Sequence, residues 1–445
     1  MPVINPDTAA VDIGSTEMFA CVPENRDPQP IRRFGAFTED LYALSAWFKG
    51  CGIKTVALES TGVYWIPLYQ ILESAGFEVY LSNARALKNV SGRKTDVGDS
   101  QWLQFLHSIG LIRTSFRPPQ QVCAVRSILR HRDSLIEQAS MHTQHIQKAL
   151  VQMNLQIHHV ISDIMGVTGL AILDAMLAGE RNPHVLAELR DRRIKKPKEI
   201  IEKSLVGDWR DEHLFTLRQS LDLYRYCHLL IAQCDQQIEQ MLAAFDSQID
   251  TKEHPIPKSI GTNAKPYGNQ IRLTSTDLRS EMYRIFGTDL TQTPGIGPSI
   301  AHGLFAELGA DLSAFRDVKC FTSWMGLCPD NRISGGKILS AHTRDVKNHV
   351  ANLFRLAAQS VQGMQCYLGE YYRRMRARFG PAKANTATAH KIARIIYHLI
   401  TTKEQYDEEI FHNMQEQYLQ RKTNRIIREA SKLGVILAPT ATQLS

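Results

Sequence analysis

The sequence predicts an α/β domain at the N-terminus, a long helical coiled-coil middle and a mainly α-helical C-terminal domain. Three observations carry that reading. Short apolar runs broken by turn residues fill the first hundred positions, apolar residues take up heptad-like spacing beyond the Pro118-Pro119 break, and a Pro-Gly-Ile-Gly-Pro turn separates helical patterns near residue 295. A chain of 445 residues exceeds one compact core, so several domains are expected. They fall at 1–117 (acid-bearing α/β domain), 118–250 (helical coiled-coil and oligomerisation domain), 251–280 (linker or loop), 281–400 (C-terminal domain) and 401–445 (helical tail).

The N-terminal elements follow from their periodicity: strands at 8–13, 17–22 and 31–36, a helix at 38–50, a strand at 54–59, a helix at 64–75, a strand at 77–82 and a helix at 95–109. The first strand, TAAVDI, closes with Asp12, and Gly14 lets the chain turn. A later one, TVALE, ends on Glu59 before a Ser-Thr-Gly turn, so if the two strands are neighbours both carboxylates project from one sheet edge. In DVGDSQWLQFLHSIG the apolar residues recur at helical spacing, which sets Asp96 and Asp99 on one side of the first turn. Four hard oxygen ligands on three segments suit Mg²⁺ (or Mn²⁺), which completes its shell with water and phosphate oxygens. Two such ions about 3.5–4 Å apart stabilise the attacking and leaving oxygens of a phosphoryl displacement. Taken singly, each acid equally suits a turn, a cap or the dipole of a first helical turn. Three successive strands followed by alternating helices and strands, with acids on the first strand, the fourth and the last helix, resemble the ribonuclease H-like (RuvC-like) fold of resolvases and transposases.

Composition excludes several classes. Hydrophobic residues make up 43% of the chain and no apolar stretch is long enough to span a bilayer. The N-terminus, MPVINPDTAAVD, lacks the basic and apolar regions of a secretory signal, which suggests a cytoplasmic protein. The eight cysteines form no CxxC pair, which argues against a zinc site and a disulfide framework. Net charge is only +7, but the excess is clustered, in RDRRIKKPK at 190–198 and from Arg373 to Arg394 with no acid inside. Arg373, Arg374, Arg376 and Arg378, together with Arg93 and Lys94, are the candidate contacts to nucleic-acid phosphates; a solvated helix face is the plainer alternative.

In the middle region one seam runs through Val125, Leu129, Ile136, Ala139, Ile146, Leu150 and Met153. A second runs through Leu217, Leu221, Tyr224, Ile231, Ile238, Leu242 and Phe245. Arg132, Thr143, His228 and Asp235 interrupt these seams, and such interruptions fix register or partner choice. The pattern fits an antiparallel coiled coil with surface left for a second subunit, or equally a plain helical bundle. The stretch EHPIPKSIGTNAKPYGNQ reads as loop or linker.

The turn TPGIGP matches a helix-hairpin-helix, in which Gly295 and Gly297 allow close backbone approach and the next helix N-terminus meets a phosphate. Farther on, Ser334 precedes Gly335, Gly336 and Lys337. It is either a turn hydroxyl or a nucleophile, with Lys337 or Arg332 neutralising the phosphate it attacks.

With these motifs together, the acids in AVDIGST, ALESTGVYW and KTDVGDS, the middle segment GLAILDAMLAGERNPHVLAELRDRRIKK and the tail motifs PGIGP and GLCPDNRISGGK, the chain resembles transposases of the insertion sequence 110 family, which include the pilin-gene invertases. The resemblance implies a resolvase-like N-terminal domain with Asp12, Glu59, Asp96 and Asp99 as acids, a coiled-coil middle, and a C-terminal transposase domain with Ser334 as nucleophile. It also implies a structured noncoding guide RNA of the bridge type, whose loops pair with donor and target DNA, and a homo-oligomer, a dimer or a tetramer on DNA. A phosphoserine link conserves bond energy, in keeping with the absence of a GxxxxGK[ST] nucleotide loop. The alternatives are a Mg²⁺-dependent structure-selective nuclease (resolvase) that activates water, and a non-enzymatic nucleic-acid scaffold.

Overall fold

The computed structural model describes residues 2–59, 62–82, 96–112, 114–259 and 268–432, which form two compact units, Met1–Arg117 and Pro118–Ser445. The first unit runs β1 (Thr8–Ile13), β2 (Glu17–Cys21), β3 (Ile31–Gly35), α1 (Thr38–Gly50), β4 (Thr55–Glu59), α2 (Trp65–Ser74), β5 (Glu78–Ser82) and α3 (Asp96–Ser108). These bounds fall within two residues of those expected from periodicity. The strands form one mixed sheet of order β3-β2-β1-β4-β5, in which β1 pairs antiparallel with β2 and parallel with β4. The pairs β2–β3 and β4–β5 are antiparallel and parallel respectively.

The central strand β1 is apolar nearly throughout because both of its faces are covered. Ala9, Val11 and Ile13, with Val56 and Leu58 of β4, pack on one side against Leu41, Leu44 and Phe48 of α1 and Leu68 and Leu72 of α2. Ala10 and Ala57 face the other side, against Leu103 and Leu106 of α3. Each large side chain buried in this way contributes about 1.5–3 kcal/mol.

The second unit opens with α4 (Gln120–Gln152), followed by α5 (Val167–Leu177), α6 (Pro183–Glu188), α7 (Lys198–Ser204) and α8 (Asp211–Ala243). The two 33-residue helices, α4 and α8, pack along one another. Val125, Ala139, Ile146, Leu150 and Met153 are buried as the seam predicts, whereas Leu135 takes the interior place expected of Ile136, which is half-buried. Two of the polar interruptions find each other: Arg132 Nε donates to Asp235 Oδ1 at 2.6 Å in the buried interior. The insertion between the long helices folds back on them, with Ile172, Met176, Leu186 and Ile201 joining Ile146, Leu150 and Leu217 in one core.

Beyond α8, residues 268–277 form neither helix nor strand, yet they are tied down. Arg132 Nη2 donates to the Asn269 carbonyl at 2.8 Å, and the Thr274 and Ser275 amides donate to Glu239 at 2.7–3.0 Å. The remainder comprises α9 (Leu278–Phe286), α10 (Pro298–Leu308), α11 (Val318–Trp324), the hairpin β6 (Arg332–Ser334) and β7 (Lys337–Ser340), α12 (His349–Ser360), α13 (Tyr367–Phe379), α14 (Pro381–Thr402) and α15 (Glu408–Lys432). Among the described residues no helix is long and apolar enough to cross a membrane.

Candidate active site

Parallel pairing of β1 and β4 fixes the relation of the first two acids. Val11 pairs with Leu58, and Asp12 and Glu59 are the next residue on each strand. They therefore stand side by side on strands about 4.8 Å apart. Side chains alternate between sheet faces, so both belong to the face of Ala10 and Ala57, the one α3 covers.

The direction of α3 follows from two hydrogen bonds. Gln104 Nε2 donates to Thr8 Oγ1 at 3.1 Å, and His107 Nε2 lies 2.9 Å from Thr55 Oγ1. Thr8 and Thr55 begin β1 and β4, so α3 runs back against the strands, its first turn toward the ends that carry Asp12 and Glu59. From Gln104 back to Asp96 the helix covers about 12 Å, and from Thr8 to Asp12 the strand covers about 13 Å. The first turn of α3 thus stands level with the two strand acids. Asp99 shares the stripe of Leu103 and Leu106, at i, i+4 and i+7, which faces the sheet.

Asp12, Glu59 and Asp99 are half-buried. The side chain of Asp96 lies outside the described residues, as do Arg93 and Lys94 entirely. Among the described residues no three His, Cys, Asp or Glu side chains are drawn together closely enough to hold a metal ion. The donor set nonetheless fits a hard divalent cation: carboxylates only, two in register and a third on the covering helix. Sequence reasoning did not foresee the Thr8, Thr55, Gln104 and His107 contacts that orient α3. Their one legible signal is a threonine opening each of the two strands that carry Asp12 and Glu59. Burial holds the His107 imidazole neutral, with its pKa lowered to about 4.

In the second unit Ser334 ends β6 and pairs with Lys337 across a two-residue turn. Gly335 (φ +54°) and Gly336 (φ +75°) are both left-handed, which is why glycine occupies both places of this tight hairpin. A Cβ built on either would meet nothing within 4 Å, so the turn stands in open space and the exposed Ser334 hydroxyl is accessible. Ile333 is 62% and Leu339 71% exposed on the same hairpin. Its base is fastened by the Asp330 amide, which donates to the His342 carbonyl at 2.8 Å, and by Arg344, which donates to the Ser323 carbonyl. The side chain of Arg332 lies outside the described residues.

The TPGIGP turn lies between a single 3₁₀ turn, Leu290–Gln292, and α10. Gly295, at φ +89°, packs directly on α12: a Cβ there would come 2.6 Å from the Ala357 carbonyl oxygen. The side of Gly295 on which a Cβ would lie is filled by protein. A Cβ on Gly297 would meet nothing within 4 Å, and this residue caps α10 in extended conformation.

Of the basic residues on α13, Arg376 and Arg378 are exposed, and Arg378 lies over the Phe379 ring at 4.8 Å. Arg374 is half-buried. Arg373 donates to the carbonyls of Gln362 at 3.1 Å and Met364 at 2.9 Å, which commits its guanidinium to holding the chain that leads into α13. In the 190–198 cluster Arg193 pairs with Asp191 and Lys198 with Glu188, whereas Arg192, Lys195 and Lys196 are exposed.

Two family models match the chain. Residues 9–155 match a transposase family of the DEDD type named for IS110, and residues 287–373 match the transposase IS116/IS110/IS902 family. A Streptomyces coelicolor protein described as a mini-circle transposase candidate for IS117 is 27% identical over 121 residues. That similarity spans 27% of this chain and 29% of the relative's length.

Proposed function

The chain belongs to the IS110 family of transposases, and from that premise we propose that it cleaves and rejoins DNA strands, with Ser334 as nucleophile and Asp12, Glu59, Asp96 and Asp99 as the acid set. The observation that carries the reading is the registered pair Asp12 and Glu59 on neighbouring parallel strands beneath the first turn of α3. The strand order, with three antiparallel strands and two parallel additions, supports a ribonuclease H-like, RuvC-like domain. The lengthwise packing of α4 on α8 supports a coiled-coil middle, with room for a homodimer or, on DNA, a tetramer.

The four acids would hold Mg²⁺ or Mn²⁺, which when bound stabilises charge on the reacting phosphate. The chain's own part is to place the hydroxyl. Ser334 Oγ attacks the scissile phosphorus, one Oγ–P ester bond forms as one strand O–P ester bond breaks, and the proton lost from Oγ is matched by one gained at the leaving hydroxyl. One phosphodiester replaces another, so rejoining needs no nucleotide hydrolysis. Lys337, across the turn from Ser334, neutralises the phosphate it meets. Exposed Arg376 and Arg378 add sequence-independent phosphate contacts. As the resemblance to this family implies, choice of site falls to base pairing by a structured RNA, which asks of the chain only surfaces that bind nucleic-acid backbone.

The test is covalent trapping. Wild-type protein on a nicked suicide duplex should carry a DNA strand on the peptide that contains Ser334, and Ser334→Ala should bind the duplex without cleaving it. Cleavage by Ser334→Ala at near-normal rate would replace the serine with water activated at the acid set.

A further inference from the structure

The last helix, α15, lies beyond the two family matches, which cover residues 9–155 and 287–373. Its start is anchored. Glu408 Oε1 accepts from the Tyr367 amide at 2.6 Å and Glu408 Oε2 from the Tyr406 hydroxyl, which ties the first turn of α15 to the first turn of α13. Its far half is not: of the side chains described between 420 and 432, all but Ala430 are exposed. A helix end of this length is marginal in water on propensity alone and ordinarily gains its stability by packing one face.

The sequence of that half is strongly biased. QRKTNRIIREASK holds five basic residues and one acid, Glu429, whose exposed ion pair with Arg425 at 3.2 Å leaves the excess intact. Arg421, Arg425, Arg428 and Lys432 recur at intervals of four, three and four, which at 100° per residue confines them to an arc of roughly 60° over about 16 Å of helix. Ile426 and Ile427, each 46% exposed, flank the opposite side. The stripe is therefore a single face of positive charge on the far half of the helix, whose described side chains are exposed apart from Ala430.

We propose that this face docks duplex DNA, the four cations lying along backbone phosphates with the helix in or beside a major groove. Charge complementarity selects a polyanion, and dimensions select the duplex. A helix of about 10–12 Å diameter enters the roughly 12 Å major groove of B-DNA, while the major groove of A-form RNA is too narrow for side chains to read. The contacts are to phosphate, so the face provides affinity and registration without sequence choice. The inference rests on the reading of the chain as a DNA-acting protein but not on the serine mechanism, because binding is measured without cleavage.

The test uses the full chain with Arg421, Arg425, Arg428 and Lys432 all changed to Gln, against linear duplex DNA of arbitrary sequence over a series of salt concentrations. The log–log salt slope should fall by about 3.6 relative to wild type, at 0.9 per duplex phosphate contact. R421K/R425K/R428K should restore the slope, which a purely structural role of the guanidinium groups would not allow. Circular dichroism of each variant confirms that the helix persists. An unchanged slope in the Gln variant overturns the proposal. So does a variant that keeps its slope on DNA but loses binding to anionic phospholipid vesicles or to hairpin RNA, which would make one of those surfaces the occupant.

Discussion

Asp12 and Glu59 stand half-buried at the ends of adjacent strands, where a carboxylate contributes less to a core than the apolar residue it displaces. Asn and Gln keep the size and hydrogen-bonding atoms of the acids they replace, so the exchange leaves the packing around them in place. Asp12→Asn and Glu59→Gln are therefore expected to fold with an unchanged melting midpoint while strand cleavage falls by about 100-fold or more, about 2.7 kcal/mol of transition-state stabilisation. Gel assays of cleavage beside calorimetry of the same preparations decide the matter. Cleavage at the wild-type rate in both variants would remove these acids from the reaction. Asp99→Asn tests the covering helix in the same way. Arg373 marks the opposite case, a residue whose sequence context suggests phosphate and whose hydrogen bonds go to the Gln362 and Met364 carbonyls.

Elements show how far the sequence was legible. The short apolar runs of the first unit gave strand bounds almost residue by residue, because a sheet covered on both faces permits apolar residues in its centre and little else. Placement of the acids on one sheet face was legible only as a condition, that the two strands be neighbours, and the parallel register of β1 and β4 meets it. What could not be read was pairing between distant positions. Arg132 and Asp235 stood out as defects in two separate seams, and no periodicity announces that they are partners. Nor does composition distinguish a loose linker from the pinned stretch at 269–275, since its ties are backbone groups that meet Arg132, Asp235 and Glu239. The same geometry predicts the cost of breaking it. Asp235→Leu leaves Arg132 charged in a site where its side chain is only 4% exposed, and should destabilise the second unit by about 3–5 kcal/mol in urea unfolding. The double variant Arg132→Met/Asp235→Leu should recover most of that loss, yet the stretch at 269–272 should remain more open to proteolysis because both of its ties are gone. A single variant with wild-type stability would mean that the pair is solvated.

At the scale of the whole molecule, among the described residues each of the two units holds one histidine that is only 1% exposed, and both contribute to its response to acid. His107 sits beneath the sheet of the first unit against Thr55, and His302 lies in the interior of the second on α10, with its Nε2 atom buried without a partner. Burial lowers both pKa values from 6.5 to about 4, and the nearby Arg132 charge adds to the effect at His302. Well above pH 6.5 both imidazoles are neutral in the folded and unfolded chain alike, so neither affects stability. As pH falls from about 6.5 toward 4 the unfolded chain takes up two protons that the folded chain does not. Stability should then fall with pH, by up to about 1.4 kcal/mol per pH unit for each histidine. Melting midpoints measured between pH 7.5 and 4.5 should decline steeply in the wild type. His302→Met, which also removes the unpartnered nitrogen, should lessen the decline of the second unit alone, where burial also lowers the pKa values of His142, His158, His228 and His390, and His107→Gln should lessen that of the first. A wild-type profile with no slope above pH 5 would show that these rings are reached by water and protonate in place, and the acid response would then belong to the carboxylates.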